Sequence, residues 1–160
     1  MRLDGFNHVA ILTKDSDRLH SFYRDVFDAT VREVPVHGPE ADGTNVRLSM
    51  IDVGPHSELN VFEIQGNDQA DHQVPMFGRG RIDHLALQAE SLESFESLRD
   101  RLIAGGYADE FVTDFGPILS VFFRDPDGLE CELCVKNPDA QPGVMNPPGT
   151  PAARYVKSDS

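Results

Sequence analysis

Apolar and polar residues change period along this chain in a fixed order, and the order occurs twice. Gly5 to Leu12 is apolar and rich in β-branched residues, which predicts a strand. Asp15-Ser16-Asp17 then offers helix-capping side chains, and Leu19, Phe22, Tyr23 and Val26 follow at helical spacing. Thr30 to Val34 returns to strand character and ends at Pro35, in a loop rich in Gly, Pro and acid. Asn45 to Val53 and Leu59 to Gln65 predict a hairpin around Gly54-Pro55-His56-Ser57. A polar stretch from Gly66 to Gln73 separates the two halves.

The second half repeats the plan. A strand is expected from Arg81 to Gln88, and Ser91-Leu92-Glu93-Ser94 resembles a helix start, with Ser at the position where a capping box has Glu. Phe95, Leu98 and Leu102 continue the apolar stripe until Gly105-Gly106 stops it. Glu110 to Thr113, Ile118 to Arg124 and Leu129 to Val135 are three more expected strands, the last two joined by the turn Asp125-Pro126-Asp127-Gly128. Beyond about Asn137 the chain is rich in Pro and Gly without apolar periodicity, as in a flexible tail or a strap on the surface. The expected organisation is a βαβββ module over residues 1–66, a linker over 67–79, a second βαβββ module over 80–136, and a tail over 137–160.

The two first strands are copies. Phe6-Asn7-His8-Val9-Ala10-Ile11 recurs as Ile82-Asp83-His84-Leu85-Ala86-Leu87, with histidine at the same place. Strand alternation puts His8, Ala10 and Leu12 on one face and His84, Ala86 and Gln88 on one face, opposite the apolar stripes that would pack under the helices. A lone strand histidine is usually a hydrogen-bonded core or surface residue. Two at equivalent positions of a repeat point instead to a pair of imidazole ligands for a metal.

Composition narrows the partners. With 160 residues the chain can bury a sizeable core, and its formal net charge is −13, from 27 acidic against 14 basic residues. Such a surface repels phosphate backbones and anionic lipid, so neither nucleic acid nor membrane is expected. No apolar run approaches the ~20 residues that cross a bilayer, and Met1 to Gly5 is unlike a signal peptide, so a cytoplasmic address is expected. Gly78-Arg79-Gly80-Arg81 precedes a strand, whereas phosphate loops precede a helix N-terminus.

Cys131 and Cys134 spell C-x-x-C inside an expected strand. Residues three apart on a strand face opposite ways and lie roughly 10 Å apart, too far for a disulfide. A zinc knuckle needs a second cysteine pair, and the chain has only these 2 cysteines. Buried free thiols are expected.

The paired βαβββ order, a histidine on each first strand, and Asp125-Pro126-Asp127-Gly128-Leu129-Glu130-Cys131-Glu132-Leu133 on the last hairpin together resemble the vicinal oxygen chelate superfamily. Its members include glyoxalases, bleomycin resistance proteins and extradiol dioxygenases. The resemblance covers roughly residues 5 to 136. It implies an α+β fold in which two βαβββ modules form a curved mixed-sheet cup, with His8 and His84 directed into it. It also implies a metal-ligating carboxylate four residues after the turn glycine, at Glu132 rather than Glu130. Both share a face, so alternation alone leaves them equal, and Glu130 is expected at a solvated rim. Glu132 is then also the catalytic carboxylate.

The resemblance breaks at one place. Glyoxalase-like members carry glutamate where this chain has Asn60, and Glu63, three residues on, faces the other way. An amide oxygen is an uncharged, weak ligand. The expected metal set is therefore His8, His84 and Glu132, with Asn60 weakly bound or facing substrate. Arg47 and Ser49 share a strand face and are expected to line the cup, Arg47 holding an anionic group. Two histidines and one carboxylate with open positions suit Fe(II) or Mn(II), with Zn or Ni as alternatives.

Function follows in three versions. The favoured one is a metal-dependent, extradiol-dioxygenase-like enzyme that acts on a small oxygen-rich substrate chelated to a divalent metal. A glyoxalase-like lyase or isomerase is the second. A non-catalytic antibiotic-binding or resistance protein is the third, although such binders generally lack the His/His/Glu set. His37, His56 and His72 fall in loops and take no role. A homodimer is the expected assembly.

Overall fold

The computed structural model describes residues 2, 5–34, 43–78 and 80–148. The chain divides into two compact units, Met1–Gln73 with Pro126–Gly128, and Val74–Asp125 with Leu129–Ser160. Each unit is a βαβββ element with its own four-stranded mixed sheet and one helix, so the fold is α+β.

The first unit runs β1 (His8–Leu12), α1 (Ser16–Phe27), β2 (Val31–Glu33), β3 (Val46–Gly54) and β4 (Ser57–Ile64), in the sheet order β1-β4-β3-β2. Helix α1 starts because the Asp15 carboxylate accepts the Arg18 N–H, and it ends at Asp28 in a left-handed conformation. Leu19, Phe22, Tyr23 and Val26 bury its apolar stripe against Ile51, Leu59 and Val61. β1 pairs in parallel with β4, Val9 beside Leu59 and Ile11 beside Val61, so these residues face α1. His8, Ala10, Glu58 and Asn60 therefore face away from it.

The second unit runs β5 (Leu85–Gln88), α2 (Leu92–Ala104), β6 (Thr113–Asp114), β7 (Ile118–Arg124) and β8 (Glu130–Lys136), in the order β5-β8-β7-β6. Ser91 caps α2 by accepting the Ser94 N–H, and its hydroxyl also donates to the Ser94 hydroxyl at 3.0 Å. Phe95 and Leu102 pack the helix over Val121, Phe123, Cys131, Leu133 and Val135. A 3-10 turn, Gln69–Asp71, lies in the expected linker.

The strand expected from Arg81 begins only at Leu85. The strand expected at Glu110 to Thr113 shrinks to Thr113–Asp114. Asx turns compete with it, Asp109 accepting from the Phe111 N–H and Asp114 from the Gly116 N–H. The described part of the tail is a strap: the Asn146 N–H donates to the Phe115 carbonyl at 3.0 Å, and the buried Asn137 amide donates to the Gly116 carbonyl at 2.8 Å. Gly116 (φ +94°) permits this approach, since a Cβ there would lie 2.4 Å from the Val144 carbonyl oxygen. Among the described residues no helix is long and apolar enough to cross a membrane.

Candidate functional site

Strand β8 places the carboxylates. The register sets Glu132 beside Ala86 of β5 and beside Phe122 of β7, on the face away from α2. His84 immediately precedes β5 and is half-buried, and its Nε2 lies 3.5 Å from Glu132 Oε2. Its ring also meets Phe122 edge-on, with centroids 6.5 Å apart. The structure thus brings together two of the three expected ligands. His8 is exposed and begins β1 of the other unit.

A single arrangement holds both imidazoles. His84 Nδ1 lies 2.7 Å from Asp83 Oδ2, and His8 Nδ1 lies 2.8 Å from Asn7 Oδ1. In each repeat the residue before the histidine grips Nδ1 and leaves Nε2 for another partner. Asp83 is in turn held by the Phe77 N–H.

Glu132 is buried, and its Oε2 accepts from the Cys134 thiol at 3.5 Å. Burial, and then the charge of Glu132, push the Cys134 thiol up to about 12, so it stays protonated as a donor. Neither cysteine is in a disulfide; both are buried, and they face opposite sides of β8, as the strand spacing requires.

Asn60 occupies the position in the first unit that Glu132 occupies in the second. It sits beside Ala10 of β1 as Glu132 sits beside Ala86 of β5. Its buried Oδ1 accepts no hydrogen bond among the described residues.

Three expectations about neighbouring residues need correction. Glu130 is not a solvated rim group: it is buried, paired with Arg124 at 3.1 Å and bonded by the Met76 N–H at 2.5 Å. Arg47 and Ser49 do not share the face of His8 and Asn60. Ser49 pairs with Val61, and its buried hydroxyl lies 2.7 Å from His20 Nε2 on α1, so this face is covered by the helix. Arg47 lies on the same side and pairs with Asp17 at 2.7 Å and Glu33 at 3.2 Å. Alternation identifies which residues share a face but not which face the helix covers. His56 and His72 are exposed, and His37 lies outside the described residues.

Sequence reasoning missed His20. It is almost fully buried, and desolvation holds its imidazole below the usual histidine range, helped by the charge of Arg47. With Asp17 and Glu33 it forms a group whose ligand atoms lie within 4.8 Å of one another. Arg47 already supplies the cation there, bonding Asp17 and holding its carboxyl below the usual range. The signal was present in the sequence: His20 falls three residues before Tyr23, on the apolar stripe of α1.

Two βαβββ units, each with a four-stranded mixed sheet and one helix, define the class of fold. The chain belongs to the Glyoxalase/Bleomycin resistance protein/Dioxygenase superfamily, whose family model matches residues 5–133. Solved structures share the fold. A glyoxylase/bleomycin resistance protein/dioxygenase domain from Frankia sp. is 20% identical at a TM-score of 0.64, covering 86% of this chain and 95% of that one. Lactoylglutathione lyase from Agrobacterium tumefaciens is 20% identical at a TM-score of 0.54, covering 84% and 96%. The fosfomycin resistance protein FosX from Listeria monocytogenes, in complex with Mn(II) and 1S,2S-dihydroxypropylphosphonic acid, is 20% identical at 0.57, covering 82% and 91%. No curated protein matches the chain.

Proposed function

We propose that this protein is a metal-dependent enzyme acting on a small oxygen-rich substrate, with His84, Glu132 and His8 holding a divalent Fe(II) or Mn(II) ion. The observation that carries this reading is the His84–Glu132 pair. Nδ1 of His84 is committed to Asp83, so Nε2 turns toward Glu132 Oε2 at 3.5 Å. Two ligand atoms each about 2.1 Å from one metal stand roughly 3.0–3.5 Å apart, so this spacing fits a shared cation. A buried carboxylate facing an imidazole lone pair is costly without one. The histidine at the start of β1 completes the set by the logic of the repeat, and the FosX relative offers a precedent for Mn(II) beside a small oxygen-rich molecule.

Such an ion would polarise substrate oxygens and stabilise charge that develops on them. The chain's own groups do the rest. His84 and Glu132 hold the chelating face, and Phe122 covers His84 from one side. The Oδ1 of Asn60 can accept a hydrogen bond from a substrate hydroxyl without adding a second carboxylate charge. That neutral fourth position favours an extradiol-type reaction on a catechol over a glyoxalase-type one, in which Glu132 would itself have to take the proton.

Elemental analysis of protein purified without chelator tests the reading, with catechol-dependent O2 uptake measured alongside. About one metal per chain is expected, lost in His84→Ala. Absence of metal with unchanged behaviour of the variant refutes the enzyme reading in favour of a binding protein. Metal without O2 uptake across a catechol panel moves the reaction to the lyase or isomerase class, assayed with a glutathione hemithioacetal. A homodimer is the assembly we expect, read by light scattering.

A further inference from the structure

We propose that Asp83 is a positioning residue that locks His84 in the tautomer carrying its proton on Nδ1, leaving Nε2 as the coordinating atom; this rests on the metal-site reading above. An ionised carboxylate only accepts hydrogen bonds, so the 2.7 Å contact from Asp83 Oδ2 requires a proton on Nδ1. The competing acceptor, Glu132 Oε2, stands 3.5 Å from Nε2, beyond the usual hydrogen-bond range. The shorter contact decides where a single proton resides.

Asp83 does not merely drift against the ring. Its other oxygen accepts the Phe77 N–H, which fixes the plane of the carboxylate. Phe77 has φ +66°, a left-handed conformation that a bulky residue rarely adopts, and there its N–H meets Asp83. The carboxylate, the imidazole and the backbone amide form one chain of donors and acceptors. Each link fixes the next.

The first unit offers an internal contrast. His8 has Asn7 in the same place, at 2.8 Å. An amide has both a donor end and an acceptor end and can turn over, so Asn7 accommodates either tautomer of His8. One histidine of the pair is locked and the other is adaptable. The locked ring, beside Glu132, serves as the fixed anchor of the metal.

The test is side-chain 15N NMR of the histidines in the whole metal-free protein, in mildly alkaline buffer, with Mn(II) affinity measured by calorimetry. His84 is expected as the Nδ1–H tautomer in the wild type. In Asp83→Asn the amide oxygen stays with the Phe77 N–H and the NH2 turns to Nδ1, so the proton is expected on Nε2. Mn(II) affinity should fall by about 10–100-fold, the usual cost of losing a ligand's supporting partner. Asn7→Ala should leave the His84 tautomer as it is. A wild-type His84 protonated on Nε2 overturns the proposal without any variant, as does an Asp83→Asn protein whose His84 keeps Nδ1–H. Loss of Nδ1–H in Asp83→Asn by a protein that never binds Mn(II) upholds the role of Asp83 and refutes the metal reading instead.

Discussion

The two units share a backbone and differ in what stands on the face away from the helix. Ala10 has Asn60 beside it and Ala86 has Glu132, at matching places in two parallel pairings. Glu58 is answered by Arg32 from β2, whereas Glu130 is answered by Arg124 from β7. At the register position of Arg124 the first unit has Asp52. Even the residues gripping the two histidines differ, a neutral amide in one unit and a carboxylate in the other. Register is a property of the backbone and the buried face, which both units need. The opposite face is free to carry different chemistry.

The largest test of this contrast is chemical. Glu132→Ala is expected to weaken Mn(II) binding by at least about 100-fold, beyond the usual cost of losing a supporting group. Asn60→Ala should stay within roughly threefold, because an amide oxygen adds no charge. Asn60→Glu restores symmetry and should tighten binding. Calorimetric titrations of the three variants decide it; equal losses at 132 and 60 would erase the proposed asymmetry.

Next comes a pair of glycines. Gly116→Ala should lower unfolding free energy by about 2 kcal/mol in urea titration, through both its left-handed backbone and the Val144 carbonyl 2.4 Å from the new Cβ. Gly66→Ala, at φ +78° with nothing within 4 Å, should cost only the backbone share, about 1 kcal/mol. Similar costs at both sites would mean that the strap does not press on Gly116.

The smallest expected effect is pH-dependent and belongs to the first unit. His20 is buried neutral, with its pKa below the ordinary 6.5. The unfolded chain therefore binds a proton more readily than the folded one. Its contribution to stability is complete above about 6.5 and is lost as the pH falls from there toward the lowered folded value. The slope in that window cannot exceed about 1.4 kcal/mol per pH unit for one group. His20→Gln should flatten it, as read by urea titrations at several pH values across that window.

Much of this was legible in the sequence because short-range rules govern it. Asp15 and Ser91 cap their helices, the apolar stripes face the sheets, and Cys131 and Cys134 part to opposite sides of β8. What escaped depended on partners far along the chain. Ser49 looked like a site residue until His20 of α1 lay over it. Glu130 looked solvated because Arg124 and the Met76 amide could not be placed beside it. The grip of Asn7 and Asp83 on the histidines escaped for another reason. Strict alternation sends neighbours to opposite faces, but His84 precedes the regular part of β5, where that rule does not yet bind.

The tip of the β7–β8 hairpin belongs to the first unit. Asp127 there accepts from Thr13 at 2.5 Å and from Arg18 at 2.6 Å, while Asp125 and Leu129 close the turn within the second. The polypeptide therefore passes between the units three times rather than once. Severing it after Gln73 would not yield two self-sufficient halves, since the N-terminal piece would lack the acid that its helix entrance requires. Fragments made this way should need each other to fold, and mixing them, rather than expressing either alone, is the route to recovering the native protein.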